Sequence, residues 1–398
     1  MLKYEQRGVS SSKKDVYNAI RRLDKGLYPR AFCKILPDVA AGDPEWCNLL
    51  HADTAGTKTA LAYLYWCETS DMSVWAGIAQ DAIVMNLDDM ACAGCTDDII
   101  LSNTIGRNRN TVPPVVIEAL IEGTVQFIEK MRSQGIHLHL AGGETADVGD
   151  VVRTIDVGFT AFARMPRRQV VSVQIQPGDV IVGLASFGQA TYEDSYNGGM
   201  GCNGLTSARH DVLHRDYLSL YPETFDPDLP RAVTYTGNMH LTDLYDIGEG
   251  HTIPVGKLLL SPTRTYLPVI KDLLAVCGPS VHGIIHCTGG GQTKVLKFIQ
   301  ECHIIKDNLF DVPPLFEMIQ SNSHTDWKEM YQVFNMGHRM EVYLSPEYAD
   351  TVIAIAARYG IAARIIGRVE KAGGDERLTL VSPNGTFVYE ENEPEIIS

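Results

Sequence analysis

Positive charge is scarce in this chain of 398 residues: 34 Lys and Arg stand against 49 Asp and Glu, a formal net charge of −15. Such a surface repels a polyanionic backbone, and no basic tail relieves it, so nucleic acid is excluded as an expected partner. Long apolar runs are also missing. Nothing approaches the roughly eighteen residues that a membrane span needs, and the start Met1-Leu2-Lys3-Tyr4 lacks the apolar stretch of a secretory signal. The expectation is a cytoplasmic protein with no membrane partner. Cysteine comes to nine, an odd number without regular spacing, which argues against a disulfide framework. Cys92-Ala93-Gly94-Cys95 is a lone C-x-x-C; a zinc ribbon would need a second pair, so these thiols read as packed core. Two nucleotide fingerprints are absent as well, G-x-x-x-x-G-K-[ST] and a G-x-G-x-x-G following a strand. A nucleotide enzyme built on this chain must use another scaffold.

What remains is ordinary globular material, 45% apolar and 21% charged, at a length that suits two domains of roughly 100 to 200 residues. From Asn48 to Ala163 short β-type runs alternate with longer amphipathic ones, the pattern of an α/β or α+β layer. The clearest helix spans 112–134, with Pro113 and Pro114 in its first turn and Gly135 at its end. A strand is expected over 136–140, with His137 and His139 on its polar face, and another over 154–163. Arg164-Met165-Pro166-Arg167-Arg168 is a basic, Pro-containing break, which sets the expected domains at 1–168 and 169–398. Beyond it the pattern predicts a buried strand at 180–185, a long Gly- and Asn-rich loop from Phe187 to Gly204, and a polar excursion from Asp211 to His251. A strand at 281–287, a helix at about 292–302 and a terminal strand with an acidic end follow.

Three acidic residues sit where a strand or helix is expected to meet a loop: Asp53, Asp89 and Glu144. Hard oxygen ligands beside glycines are what Mg²⁺ on nucleotide phosphates requires, and Lys58 supplies a point charge next to the first of them. Any one of these segments taken alone is equally a turn rich in Asp and Gly. Thr288-Gly289-Gly290-Gly291, between a strand and a helix, is suited to presenting backbone N–H groups to an anion. Arg264 in Ser261-Pro262-Thr263-Arg264 offers a guanidinium for a sugar phosphate, although helix capping accounts for Ser261 and Thr263 as well.

Taken in order, seven segments resemble aminoimidazole ribonucleotide synthetase, also called phosphoribosylformylglycinamidine cyclo-ligase. They are Asp53-x-x-Gly56-Thr57-Lys58, Asp88-Asp89 with Cys92-Ala93-Gly94, Gly142-Gly143-Glu144-Thr145-Ala146, Pro177-Gly178-Asp179-Val180, Leu260 to Tyr266, His286 to Gly291, and Glu329 to Gly337. The resemblance implies an α/β (α+β) fold of two domains, an N-terminal sheet domain that binds ATP and metal and dimerises, and a C-terminal α/β sandwich for a small phosphorylated substrate. It implies a homodimer using ATP and Mg²⁺ to cyclise formylglycinamidine ribonucleotide. Carried onto this sequence, the cofactor residues are Asp53, Gly56, Thr57, Lys58, Asp89, Gly142, Gly143 and Glu144, with Asp53, Asp89 and Glu144 on the metal. Asn203, Gly204, Arg264, Thr288, Gly289 and Gly290 fall to the substrate, and Lys58 and His286 to catalysis. Another ATP-using relative with a different phosphorylated acceptor, or a ligand-binding relative without turnover, are the competing readings. The chain departs from the family at Gly26 to Phe32, where a Gly-Gly-Phe-Gly type loop is replaced. It departs again at Gly201-Cys202-Asn203-Gly204, where the His of a His-Ser-Asn-Gly turn is missing. The enlarged loop before that turn, with Tyr192, Glu193, Asp194 and Tyr196, is expected to be a mobile lid over the substrate.

Overall fold

A computed structural model describes residues 6–9, 19–20 and 22–390. The first sheet contains β1 (Ile35–Pro37), β2 (Trp46–Thr54), β3 (Ile99–Arg107), β4 (Leu138–Asp147) and β5 (Ile155–Pro166), in the order β1-β2-β5-β3-β4. Only β3 and β4 run parallel. Three helices accompany it: α1 (Lys58–Thr69), α2 (Ser73–Cys92) and α3 (Pro114–Ser133). The α3 bounds lie within two residues of the predicted helix, because prolines at its start and a regular apolar period mark it twice. Its buried face is Val116, Leu120, Phe127, Ile128 and Met131, while Ile121 is exposed. Helix α2 is apolar nearly all round and buried along its length, as an element with neighbours on every side must be. It packs on β2 and β5 of the first sheet and on the strand Val281–His286 of the second.

The second sheet has seven strands in the order β14-β13-β10-β12-β6-β11-β9. They are β6 (Val180–Ala185), β9 (Val281–His286), β10 (Cys302–Lys306), β11 (His338–Leu344), β12 (Ala363–Lys371), β13 (Arg377–Ser382) and β14 (Gly385–Glu390); β7 (Leu244–Asp246) and β8 (Thr252–Pro254) form a separate ribbon. Helices Leu267–Cys277 and Ala349–Arg358 pack together, the latter against β6 and β12. The mixed α/β class expected from the sequence is what the chain adopts. Among the described residues no helix is long and apolar enough to cross a membrane. Cys92 and Cys95 are buried and unbridged.

Four local expectations need correction. The strand predicted over 136–140 begins at Leu138 and continues through Gly142-Gly143-Glu144 to Asp147, so this motif is strand and not loop. The two glycines permit it: a Cβ on Gly143 would lie 2.4 Å from the Asn103 carbonyl oxygen on β3, and the register shifts between Leu101 and Asn103. The helix predicted over 292–302 is a 3₁₀ turn, Gly291–Lys297, followed by β10. The terminal strand is the hairpin β13–β14, and the acidic end beyond Glu390 lies outside the described residues. Last, the loop from Phe187 to Gly204 lacks regular structure but is anchored. Tyr192 is buried with its hydroxyl donating to the Thr265 carbonyl at 2.5 Å. Asn197 donates to Glu193 and to the Pro262 carbonyl, and its own Oδ1 accepts from Gly199 N–H. Such satisfaction of side chain and backbone fixes a loop that composition alone marks as free.

Candidate active site

Along β2 the side chains alternate. Leu50, Ala52 and Thr54 lie on the open face of the sheet, and Leu49, His51 and Asp53 turn toward the helices. Past the strand, Gly56 adopts φ +57°, a left-handed turn that delivers the chain into α1. Asp53, Gly56 and Thr57 thereby form one wall of a cleft of ≈ 300 Å³. Opposite stand Asn203 and Gly204 from the anchored loop, Thr206 in α4 (Leu205–Val212), Gly289 and Gly290 after β9, and Gln332 and Val333. A hydrogen bond of 2.8 Å between the Thr57 and Thr206 hydroxyls spans the two sides. Gly289, Gly290 and Gly291 have φ of +55°, +133° and +49°, a run that only glycine adopts readily. A Cβ on Gly291 would come within 2.5 Å of the Phe334 carbonyl oxygen. The Glu329–Gly337 stretch is therefore the backing on which the Gly-rich loop is moulded.

A side chamber of ≈ 10 Å³ adjoins the cleft and shares Cys202, Asn203 and Val333 with it; Thr288, Asn335 and Arg339 complete its polar lining. Seven residues predicted from the sequence thus line one cleft: Asp53, Gly56, Thr57, Asn203, Gly204, Gly289 and Gly290. Thr288 lines the chamber beside it.

The remaining predicted residues go elsewhere. Lys58 is fully buried, its Nζ 2.8 Å from Asp81 Oδ1 and 2.7 Å from the Ser261 carbonyl oxygen. It is committed to a structural ion pair and does not line the cleft. Arg264 is likewise buried, with Nε 2.9 Å from Glu193 Oε1, Nη2 2.5 Å from Glu193 Oε2, and Nη1 donating to the Ala185 and Phe187 carbonyls. This guanidinium clamps the loop and not a ligand. Asp81 and Asp88, seven residues apart on α2, carry the same segment from the other side. Asp81 accepts from Thr263 N–H, and Asp88 from the Thr265 hydroxyl and Tyr266 N–H.

Gly142, Gly143 and Glu144 sit on edge strand β4. In the strand register Asp53 pairs with Phe159, Phe159 with Asn103, and Asn103 with Gly143. Glu144 is one residue further along, on the opposite face, and three strand spacings of about 4.8 Å from β2. Asp89 is bound by two histidines, 2.7 Å from His286 Nδ1 and 3.4 Å from His51 Nε2. Within one subunit Asp53, Asp89 and Glu144 do not converge on one ion, and the expected Mg²⁺ ligand set is not met there.

The two-histidine contact has an electrostatic logic. Burial pushes the Asp89 carboxyl up, but the hydrogen bonds from His286 and His51 outweigh it and hold the group well below the usual range. His51 faces acceptors on both nitrogens, since Nδ1 lies 2.9 Å from Asn86 Oδ1 while the Asn86 amide donates to Ala82. Burial opposes its protonation, yet Asp89 and Asn86 raise its pKa above the ordinary 6.5. A raised histidine contributes stability that is complete below its unfolded value and lost as pH climbs through the folded one. The depressed Asp89 contributes above 3.8 and loses its part on acidification. The stability advantage of wild type over His51→Gln should therefore be greatest near pH 5 to 6 and shrink as pH climbs beyond the ordinary histidine value of 6.5. A thermal-midpoint difference that stays flat across that span would remove the charge from His51.

His286 Nε2 is buried with no partner among the described residues. Sequence reasoning missed Thr206, Gln332 and Val333 on the cleft and Arg339 in the chamber. For Arg339 a signal existed: His338, Arg339 and Glu341 are titratable residues in an otherwise apolar strand whose every side chain is buried.

Sequence profiles of the family described as AIR synthase related protein match this chain with the N-terminal domain at residues 35–165 and the C-terminal domain at 176–378. A phosphoribosylformylglycinamidine cyclo-ligase of Methanococcus maripaludis (strain C6) is 29% identical over 385 residues, 93% of each chain. One from Bacillus cereus (strain Q1) is 28% identical over 328 residues, 81% of this chain and 80% of its own. Among solved structures, phosphoribosylformylglycinamidine synthase II from Thermotoga maritima superposes with a TM-score of 0.54 at 14% identity, over 98% of this chain and 50% of that one. The hydrogenase maturation protein HypE in complex with ATP gives 0.52 at 14%, over 80% of each. At such identities these two likenesses speak to the fold.

Proposed function

The chain belongs to the AIR synthase related family, matched in both of its domains, and from that premise we propose that it is the cyclo-ligase of purine biosynthesis. It converts formylglycinamidine ribonucleotide to aminoimidazole ribonucleotide in the cytoplasm, with ATP giving ADP and phosphate. The observation that carries this reading is the meeting, in one cleft, of Asp53, Gly56 and Thr57 with Asn203, Gly204, Gly289 and Gly290. In this reading residues 1–168 hold the nucleotide and the subunit contact, and residues 169–398 hold the substrate. A homodimer accords with the open face of the first sheet, where Leu50 and Ile100 are 61% and 41% exposed on either side of Phe162 in the strand register.

The chemistry follows from the leaving group. A formamide oxygen departs poorly, so the γ-phosphoryl of ATP is placed on it; an amidine nitrogen held close then attacks that carbon and expels phosphate. The ring nitrogen must lose a proton. Asp89, ionised, accepts from His286 Nδ1–H, which leaves Nε2, without a partner among the described residues, as the nitrogen assigned to take it. His286 comes immediately before Cys287 and Thr288 of the side chamber.

Asp89→Asn should lower kcat on the order of 10²-fold with KM little changed, since a neutral amide no longer fixes the imidazole tautomer. A variant within about threefold of wild type would take the Asp89–His286 pair out of the reaction. The reading as a whole is tested by ADP release with formylglycinamidine ribonucleotide beside a panel of other phosphorylated acceptors. Turnover of another acceptor alone would replace the substrate, and release with none would leave a binding protein.

A further inference from the structure

Several buried cations have a carboxylate: Lys58 has Asp81, Arg264 has Glu193 and Lys306 has Glu341. Arg339 on β11 has none within ion-pair distance among the described residues, and the buried Asp88 carboxylate acts on it only through space. It is 2% exposed, Nη2 donates to the Arg264 carbonyl, and Nε and Nη1 have no hydrogen-bond partner. The guanidinium lies 5.4 Å from the Tyr266 ring centroid, a contact that accommodates a cation without neutralising it. A buried guanidinium with two nitrogens left without hydrogen bonds is costly to a fold. A counter-charge from outside the chain would relieve it.

The surroundings say where that charge would enter. Arg339 lines the side chamber with Asn203 and Thr288, and the chamber shares its wall with the cleft. Its ≈ 10 Å³ admits one oxygen atom, about the room one water needs. Just outside, Gly289 and Gly290 donate no backbone hydrogen bond to the described chain, and successive free N–H groups in left-handed turns cradle anions.

The geometry points to a phosphate-ester subsite. The phosphate rests on the N–H groups of Gly289 and Gly290 and places one oxygen in the chamber against Arg339. This assignment deepens the cyclo-ligase reading and rests on its placing of a phosphorylated ligand in the cleft. It replaces Arg264, which is spent on Glu193, with Arg339 as the cation that recognises the ester.

The source of the phosphate is either the sugar phosphate of the acceptor or the nucleotide, and calorimetric titration of ribose 5-phosphate and of ATP into Arg339→Met separates them. Affinity for one of the two should fall at least tenfold, and Arg339→Lys should recover part of it. Loss for ribose 5-phosphate alone assigns the ester of the substrate, and loss for ATP alone assigns the nucleotide. Wild-type titrations that bind both probes no better than ribose, or a folded variant that binds both as wild type does, overturn the subsite. Should Arg339→Met fail to fold, the wild-type comparison with ribose still decides. None of these readouts needs turnover, so absence of ADP release with formylglycinamidine ribonucleotide would unseat the reaction and leave the subsite standing.

Discussion

Lys58→Met is expected to lower unfolding stability by about 3–5 kcal/mol, the range seen when one partner of a buried ion pair is removed. Asp81 would be left fully buried, holding only Thr263 against its charge. Urea unfolding monitored by fluorescence measures the loss. Replacing both partners, as in Lys58→Met with Asp81→Leu, should recover much of it, because two apolar side chains need no compensation. A Lys58→Met enzyme with an unchanged midpoint and no turnover would return Lys58 to the catalytic role the sequence suggested.

Arg264→Ala should be comparably damaging, about 3–5 kcal/mol, and should abolish turnover through the loop that leads to Asn203. It strips Glu193 of its counter-charge, leaving it the Ala190 N–H and the Asn197 amide, and takes the Arg264 donor from the Ala185 and Phe187 carbonyls. Arg264→Lys should rescue little, since an ammonium cannot engage a carboxylate bidentately and two carbonyls besides. Normal stability with a raised substrate KM would mark Arg264 as a ligand contact after all.

These two residues show where a sequence can be read and where it cannot. Strand β6 and helix α3 were legible because period and punctuation are local properties. The cleft residues Asp53, Gly56, Thr57, Gly289 and Gly290 were legible because glycine beside a polar group at a strand end implies a backbone open to ligand. Lys58 and Arg264 were misread because a charge does not announce its partner. Asp81 is 23 residues from Lys58 and Glu193 is 71 from Arg264. The segment around Glu144 was misplaced for another reason: two adjacent glycines read as a turn, while here they let an edge strand pass close beside Asn103. The loop after Phe187 looked loose because its anchors, Pro262, Thr265 and Arg264, come from a distant part of the chain.

The strand order of the second sheet bears on how the protein is made. Strand β6 lies between β11 and β12, yet Val180–Ala185 emerges from the ribosome long before His338–Leu344. At about 5–20 residues per second, synthesis of the roughly 150 residues between them lasts on the order of 8–30 s. Throughout that interval Val180-Ile181-Val182-Gly183-Leu184-Ala185 has neither of its neighbours, and it is a short, uncharged, β-prone segment of the type that associates between chains. Closing the sheet requires contacts of very high sequence separation, which are slow to form. The nascent second domain is therefore the part of this molecule with most need of a chaperone, and slowed or truncated synthesis is where aggregation would begin.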